Sequence, residues 1–338
     1  MKDIQKDTRN YGFSTVPMWD NLGVVLDAPP SSIEEAMKLG GMDWDVLEKP
    51  SMYLDHEDNT RLSPGVKALV RSDNGEQLSI QNLSWNVVQN KRAFQVLEPM
   101  IKSGELVLET GVCLNGGRQI ALTARITDMI GDVVKNDPVE AYFVLYNVHG
   151  GPKVSFGLQY TNIRAICTNT LAMIIRQGKG TKFEGSSMAV SAKTMKFRHT
   201  DSIHENLDMV QDLILLRKRS FDESLNEYRI MAGTPMTASK VIEVYSKVFQ
   251  IDEKDVLGHT HYEAIINEFD SGLGADISGN EDTAWTFYNA ITKYNSHLKA
   301  GRGESESDKA RSRFNSLYFG ASADMNTRAH EAVLSLAA

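Results

Sequence analysis

A chain of 338 residues, 41% hydrophobic and 24% charged, has the material for one large domain or two ordinary ones, and its composition excludes a disordered or collagen-like chain. Its 36 Lys and Arg against 44 Asp and Glu give a net charge of −8, which argues against a general DNA-coating protein. Local binding of a polyanion stays open, because the potential in a groove follows charges within about 8–10 Å.

Residues 1–64 read as an extended, turn-rich N-terminal arm with one short helix. Pro29 and Pro30 precede Ser32-Ile-Glu-Glu35, a capping-box pattern, and Gly40-Gly41 closes the helix. Residues 65–200 read as an antiparallel α+β core. Residues 66–71 and 76–80 flank Asn74-Gly75, a hairpin signal. A helical spacing covers 89–103. Strands are expected at 105–114, 118–126, 141–147 and 153–161, with Asn115-Gly-Gly117 as the turn between the first two. The spacing of Ile163, Ile166, Leu171 and Ile174 predicts a helix over 162–177, followed by a flexible loop and a short strand. Residues 201–338 read as a helical region. A long helix from Asp201 should break at Gly233-Thr-Pro235, with further helices over 238–248, 261–269, 283–298 and 323–336 and a charged loop over 300–313. The fold class is therefore α+β: an antiparallel sheet with packed helices, then a mainly helical C-terminal region.

The most informative stretch is basic. Residues 161–200 carry seven cations (Arg164, Arg176, Lys179, Lys182, Lys193, Lys196 and Arg198) against the single anion Glu184. Tyr160, Phe183 and Phe197 are interleaved with them, the mixture that single-strand binders use for stacking and phosphate contact. Arg118 and Arg125, on a neighbouring predicted strand, could line the same surface. A solvated charged face is the competing reading.

Other chemistry finds less support. The Gly-rich turns match neither a P-loop nor a dinucleotide fingerprint. His259-Thr-His261 with Glu263 has the makings of a metal site, but it also reads as a helix start, with Thr260-His-Tyr-Glu263 as a capping box. Cys113 and Cys167 form no C-x-x-C pair and sit in apolar contexts, where a thiol behaves as a small hydrophobe. No acid, base and nucleophile assemble, so no catalytic residue, metal or cofactor is expected. The polar start M-K-D-I-Q-K-D-T-R-N lacks an apolar signal core, and no run reaches the roughly 20 apolar residues of a membrane helix; a cytoplasmic protein is expected.

Several blocks resemble a known family. They are M-W-D-N-L-G (18–23), S-I-E-E-A (32–36) with G-M-D-W-D-V (41–46), V-R-S-D-N-G-E-Q-L (70–78), V-V-Q-N-K-R-A-F (87–94), L-N-G-G-R (114–118), N-I-R-A-I-C-T-N-T-L (162–171), T-A-W-T-F-Y-N-A-I-T-K-Y (283–294) and F-G-A-S-A-D-M (319–325). In this order they are similar to the phage/plasmid-like proteins of domain-of-unknown-function family 932. That resemblance implies a phage, prophage or plasmid setting and the cytoplasm of a host cell, and brings no catalytic residues. The order of elements also resembles single-strand annealing recombinases of the RecT/Redβ and Erf kinds, a fold-level analogy.

The expected function is a non-catalytic, phage-type single-stranded DNA-binding or annealing protein in replication or recombination, acting as a homo-oligomer. Arg118, Arg125, Arg164, Lys179, Lys182, Lys193, Lys196 and Arg198 are the expected phosphate contacts. Tyr160 and Phe183 or Phe197 are the stacking groups. The alternatives are a phage protein that binds a host protein factor and a metal-dependent enzyme acting on nucleic acid or nucleotides.

Overall fold

The structure, a computed structural model, describes residues 10–15, 23–150, 156–166, 169–170, 188–190, 194–197 and 217–336. The chain forms two compact units. Unit 1 comprises Met1–Arg125, Phe143–Gln159 and Gln177–Leu215; unit 2 comprises Ile126–Tyr142, Tyr160–Arg176 and Leu216–Ala338. The units do not follow a linear division after residues 64 and 200, because three strands each contribute a segment to both.

Unit 1 contains β1 (Tyr11–Ser14), β2 (Val24–Val25), α1 (Ile33–Leu39), β3 (Val46–Leu54), β4 (Thr60–Arg71), β5 (Gln77–Asn82), α2 (Asn90–Gln95), α3 (Glu98–Lys102) and β6 (Leu106–Leu114). It also holds segments of β7 (Gln119–Asp132), β8 (Pro138–Val148) and β9 (Phe156–Arg164), and all of β11 (Met188–Val190) and β12 (Thr194–Phe197). Its main sheet runs β11-β12-β9-β8-β7-β6-β1-β2, while β3-β4-β5 forms a second, three-stranded sheet. The main sheet is largely a meander, the arrangement that short hairpin connections produce.

Local chemistry explains the elements. Ser32 caps α1 by accepting from the Glu35 N–H at 3.2 Å, and Glu34 pairs with Lys38 one turn on. The predicted helix over 89–103 is two short helices, because Pro99 opens a new one rather than continuing the first. The predicted hairpin pairs Val70 with Gln77. The arm departs from expectation at β3, which pairs with a β4 that begins at Thr60. Pro50 and Pro64 obscure both strands in the sequence.

Unit 2 holds the remaining segments of β7, β8 and β9, the short β10 (Asn169–Thr170) and six helices among its described residues. These are α4 (Arg217–Ala232), α5 (Ala238–Phe249), α6 (Tyr262–Ser271), α7 (Ala284–Lys293), α8 (Glu306–Phe319) and α9 (Ala321–Leu334). A 3-10 segment spans Glu253–Gly258, and a π turn spans Tyr294–Leu298. Residues 284–292 of α7 are all buried, so this helix is the axis of the unit, packed by α4, α6 and α9. Tyr228, Trp285, Tyr288 and His330 interlock around it, with ring centroids 5.0–6.2 Å apart.

Two expectations fail here. Residues 162–164 complete β9 and Asn169 and Thr170 pair back on it, where a helix was predicted; Ile163 serves an interior strand, and residues 171–177 of that prediction lie outside the described residues. Residues 306–313 are helical, where a charged loop was predicted. Ser305 accepts from the Asp308 N–H at 3.1 Å, and Glu306 and Asp308 favour the positive end of α8.

Candidate functional site

The structure internalises several expected nucleic-acid contacts. Every residue of β9 is buried, and Tyr160 and Arg164 are 3% and 2% exposed. They are corrected to core residues: a strand covered on both faces offers nothing to a ligand. Arg118 donates to the carbonyls of Leu78 and Gln77 at 2.9 and 3.3 Å, fastening β5 to the start of β7. Arg125 pairs at 2.7 Å with Glu109 on the neighbouring strand β6. Arg118 is thus committed to bridging the two sheets and Arg125 to its own sheet. Lys196 and Phe197 lie in β12, in register with Gly157 and Phe156 of β9. Lys179, Lys182, Phe183, Lys193 and Arg198 lie outside the described residues.

Arg164 belongs to a dense polar network in unit 2. Asp137, fully buried in the β7–β8 turn, accepts from Arg164 Nε at 2.7 Å and NH2 at 2.6 Å. The same carboxylate accepts from Trp285 Nε1 and Asn280 Nδ2, each at 2.8 Å. Arg164 also donates to the carbonyls of Leu273 and Gly274, both at 3.3 Å, and its guanidinium lies 5.7 Å from the Trp285 ring centre. A buried ion pair is tolerable only when its remaining hydrogen-bonding capacity is met in this way. The network joins β9, the β7–β8 turn, the loop after α6 and the start of α7. Asp137, Asn280 and Trp285 escaped sequence reasoning, although an arginine inside an apolar strand signals a buried partner.

A second cluster, also in unit 2, reaches the surface. It gathers around the C-terminal end of α5, the His259–His261 segment, the π turn and α9. Phe249 stacks on Tyr245 at 4.3 Å, and the Tyr245 hydroxyl lies 2.7 Å from His259 Nδ1. Burial raises the Tyr245 phenol, which stays protonated, and the imidazole tautomer sets which of the two groups donates. His259 and His261 meet edge to face at 5.2 Å, and His261 lies 4.9 Å from Tyr294. Phe249, His259 and His261 are part-exposed, whereas Tyr245 and Tyr294 are buried beneath them.

Three cations gather here: Lys299 acts on the His261 ring, and Arg302 and Arg328 lie within electrostatic reach of Lys299. The π turn ends with the Lys299 N–H donating to the Tyr294 carbonyl at 2.7 Å, and Lys299 Nζ donates to Ser322 Oγ at 3.2 Å. Arg328 on α9 donates from Nε to the Val248 carbonyl at 3.0 Å, capping α5 one residue before Phe249. Arg302 is exposed. Among the described residues none of the three forms an ion pair. Their mutual repulsion is visible in Lys299, whose ammonium is held below its ordinary range first by burial, then by Arg302 and Arg328. Burial, then His259 and Lys299, lower the His261 imidazole in turn. An anion entering here would relieve that repulsion, and the rings offer it an aromatic floor. The cations are interspersed with Glu304, Glu306, Asp308 and Asp324, so this stretch does not read as strongly basic in the sequence; the π turn brings Lys299 beside Tyr294 and His261, a role such turns often play.

The histidines do not assemble a metal centre. His259 Nδ1 is engaged by Tyr245, Glu263 is exposed on the first turn of α6, and His261, not Thr260, occupies the N-cap position. Among the described residues no group of three or more His, Cys, Asp and Glu is placed to hold a metal ion. Cys113 is buried in β6, and burial pushes its thiol up to about 11. It is expected to resist alkylation in the native protein at pH 8 and to react only after unfolding, as peptide mapping by mass spectrometry would show. No helix among the described residues is long and apolar enough to cross a membrane.

Residues 77–318 match the family described as Domain of unknown function (DUF932). No curated protein and no solved structure matches the chain.

Proposed function

The chain belongs to the DUF932 family, whose description carries no activity, and we propose from its own geometry that it is a non-catalytic single-stranded nucleic-acid-binding protein. In this reading Lys299, Arg302 and Arg328 contact phosphates, and Phe249, His259 and His261 support bases. Holding a strand on a shallow ledge leaves base edges free to pair, the requirement of annealing in replication or recombination. The reading rests on one observation: three cations without ion-pair partners among the described residues lie within electrostatic reach of one another beside part-exposed aromatic rings. The basic segment containing Lys193, Lys196 and Arg198 remains a candidate second contact.

The test is fluorescence anisotropy of a labelled oligothymidylate over a salt series. Each phosphate neutralised on a single strand contributes about −0.7 to the slope of log affinity against log salt, so Lys299→Gln/Arg302→Gln/Arg328→Gln should flatten it by about 2. An unchanged slope in a folded triple variant removes this cluster. If Lys193→Glu/Lys196→Glu/Arg198→Glu alone abolishes binding, the basic segment carries the function instead.

The cluster also carries a pH signature. His261 faces His259, Tyr294 and Lys299, with Tyr245 and Phe249 behind. A bound phosphate favours the imidazolium, so the complex takes up a proton and affinity rises as pH falls from about 6.5 through the lowered value of free His261. His261→Gln should flatten this dependence. Stability runs the other way: the depressed imidazole contributes stability above about pH 6.5 that is lost as pH falls through its folded value.

A further inference from the structure

The β3–β4 hairpin carries a concentration of exposed large apolar side chains. Met52 and Tyr53 are adjacent in β3 and therefore point to opposite faces, yet they are 62% and 51% exposed. Leu54, and Leu62 opposite Met52, are each 63% exposed. Beyond its root this is a two-stranded ribbon with apolar side chains bare on both faces, a form only marginally stable by itself in water. The ribbon is nonetheless well defined at its tip. Asp55 Oδ1 accepts from the backbone N–H groups of Glu57 and Asn59, and Arg61 pairs with Asp55 at 2.8 Å.

At the root the same hairpin forms a groove of about 350 Å³, walled by Pro50, Leu62, Pro64, Val66 and Leu83. Its mouth holds Lys49, exposed and without an ion-pair partner among the described residues, and Lys67, which pairs with Glu48 at 2.8 Å. The tip is acidic: Asp55, Glu57 and Asp58 outnumber Arg61. Thus one element carries apolar knobs and an acidic tip at one end, an apolar groove and an unpaired lysine at the other. Leu54 is four residues beyond Pro50, roughly 13 Å along the strand.

We infer that this hairpin is a self-association arm whose occupant is the hairpin of a second copy of the chain. Laid antiparallel about a two-fold axis, two arms place each tip over the other's groove, with Leu54 and Met52 against Pro50, Pro64 and Leu83 and Asp58 or Glu57 near Lys49. Such an isologous contact closes after two copies. Pro50 interrupts the outer edge of β3, so the arms meet through side chains rather than by extending the sheet. This inference stands apart from nucleic-acid binding, which involves other residues.

Sedimentation velocity of the full chain tests it. The wild type should show a concentration-dependent dimer, and Met52→Ser/Leu54→Ser/Leu62→Ser should be monomeric yet folded by circular dichroism, since each of the three side chains is more than half exposed in the single chain. A charge swap identifies the occupant. Lys49→Glu and Asp58→Lys alone should each weaken the dimer, by about tenfold for a loss of 1.4 kcal/mol, and combined in one chain they should restore it. A monomeric wild type overturns the proposal and leaves the arm to a different protein. A dimer indifferent to the triple variant, or a swap that fails to recover association, overturns it as well.

Discussion

Arg164→Ala is expected to destabilise the protein by about 3–5 kcal/mol, because it strands the fully buried Asp137 carboxylate without its counter-ion. A typical domain has about 5–15 kcal/mol in total, so the variant should melt far below the wild type or fail to fold. Asp137→Ala should be equally severe, since it strands the guanidinium and also the donors of Trp285 and Asn280. Removing both charges is the informative experiment. Arg164→Met/Asp137→Leu eliminates the uncompensated ion and should recover part of the loss seen in either single variant, giving a strong coupling in a double-mutant cycle. Urea denaturation monitored by circular dichroism reads all four corners of the cycle. A surface arginine that bound phosphate would behave oppositely: its alanine variant would keep the wild-type midpoint and lose affinity for an oligonucleotide. That outcome would return Arg164 to the ligand-binding face.

This contrast shows what the linear sequence conveyed. The strand-turn-strand rhythm of 105–161 was legible because β6 to β9 are near neighbours joined by short turns, and turn chemistry is local. Helices α5, α6, α7 and α9 were legible from periodicity, whereas α8 was not, because its charged first half reads as a loop. Arg164 was misread because charge was counted along the chain, whereas burial depends on which strand lies in the interior. A window over 161–200 registers a cation whose anion is 27 positions earlier as unpaired. The Lys299, Arg302 and Arg328 cluster is the converse: Glu304, Glu306, Asp308 and Asp324 lie between its members in the sequence and mask the charge of that stretch, and helix packing collects the cations. The β3–β4 hairpin was missed for a third reason. A ribbon exposed on both faces has no inside-outside alternation to betray it, and two prolines suggest a loop.

Gly117→Ala is expected to cost about 2–5 kcal/mol, the sum of a left-handed backbone term of about 1–2 and an overpacking term of about 1–3. Asn115, Gly116 and Gly117 form the tight turn between β6 and β7, with φ of 54°, 68° and 92°. The turn is also a packing surface. Arg71 lies 4.5 Å over the Trp44 ring, donates to the Gly116 carbonyl at 3.1 Å and makes a two-pronged pair with Asp73 at 2.9 and 2.7 Å. A methyl group on Gly117 would sit 2.6 Å from Trp44 Cζ2 and 3.1 Å from Arg71 NH1. Trp44 has little room to yield, because it is 6% exposed and its indole N–H is held by the Gly41 carbonyl at 3.0 Å. So this glycine pair serves to let an arginine and a tryptophan close over a hairpin. Gly75→Ala supplies the control. Its φ of 75° imposes the same backbone strain, but a methyl group there meets nothing within 4 Å, so it should cost only about 1–2 kcal/mol. The difference between the two alanine variants in chemical denaturation isolates the Trp44–Arg71 contact. Equal losses at both positions would mean that the turn matters only for its backbone, and that the tryptophan–arginine stack adapts to an added methyl group at no cost.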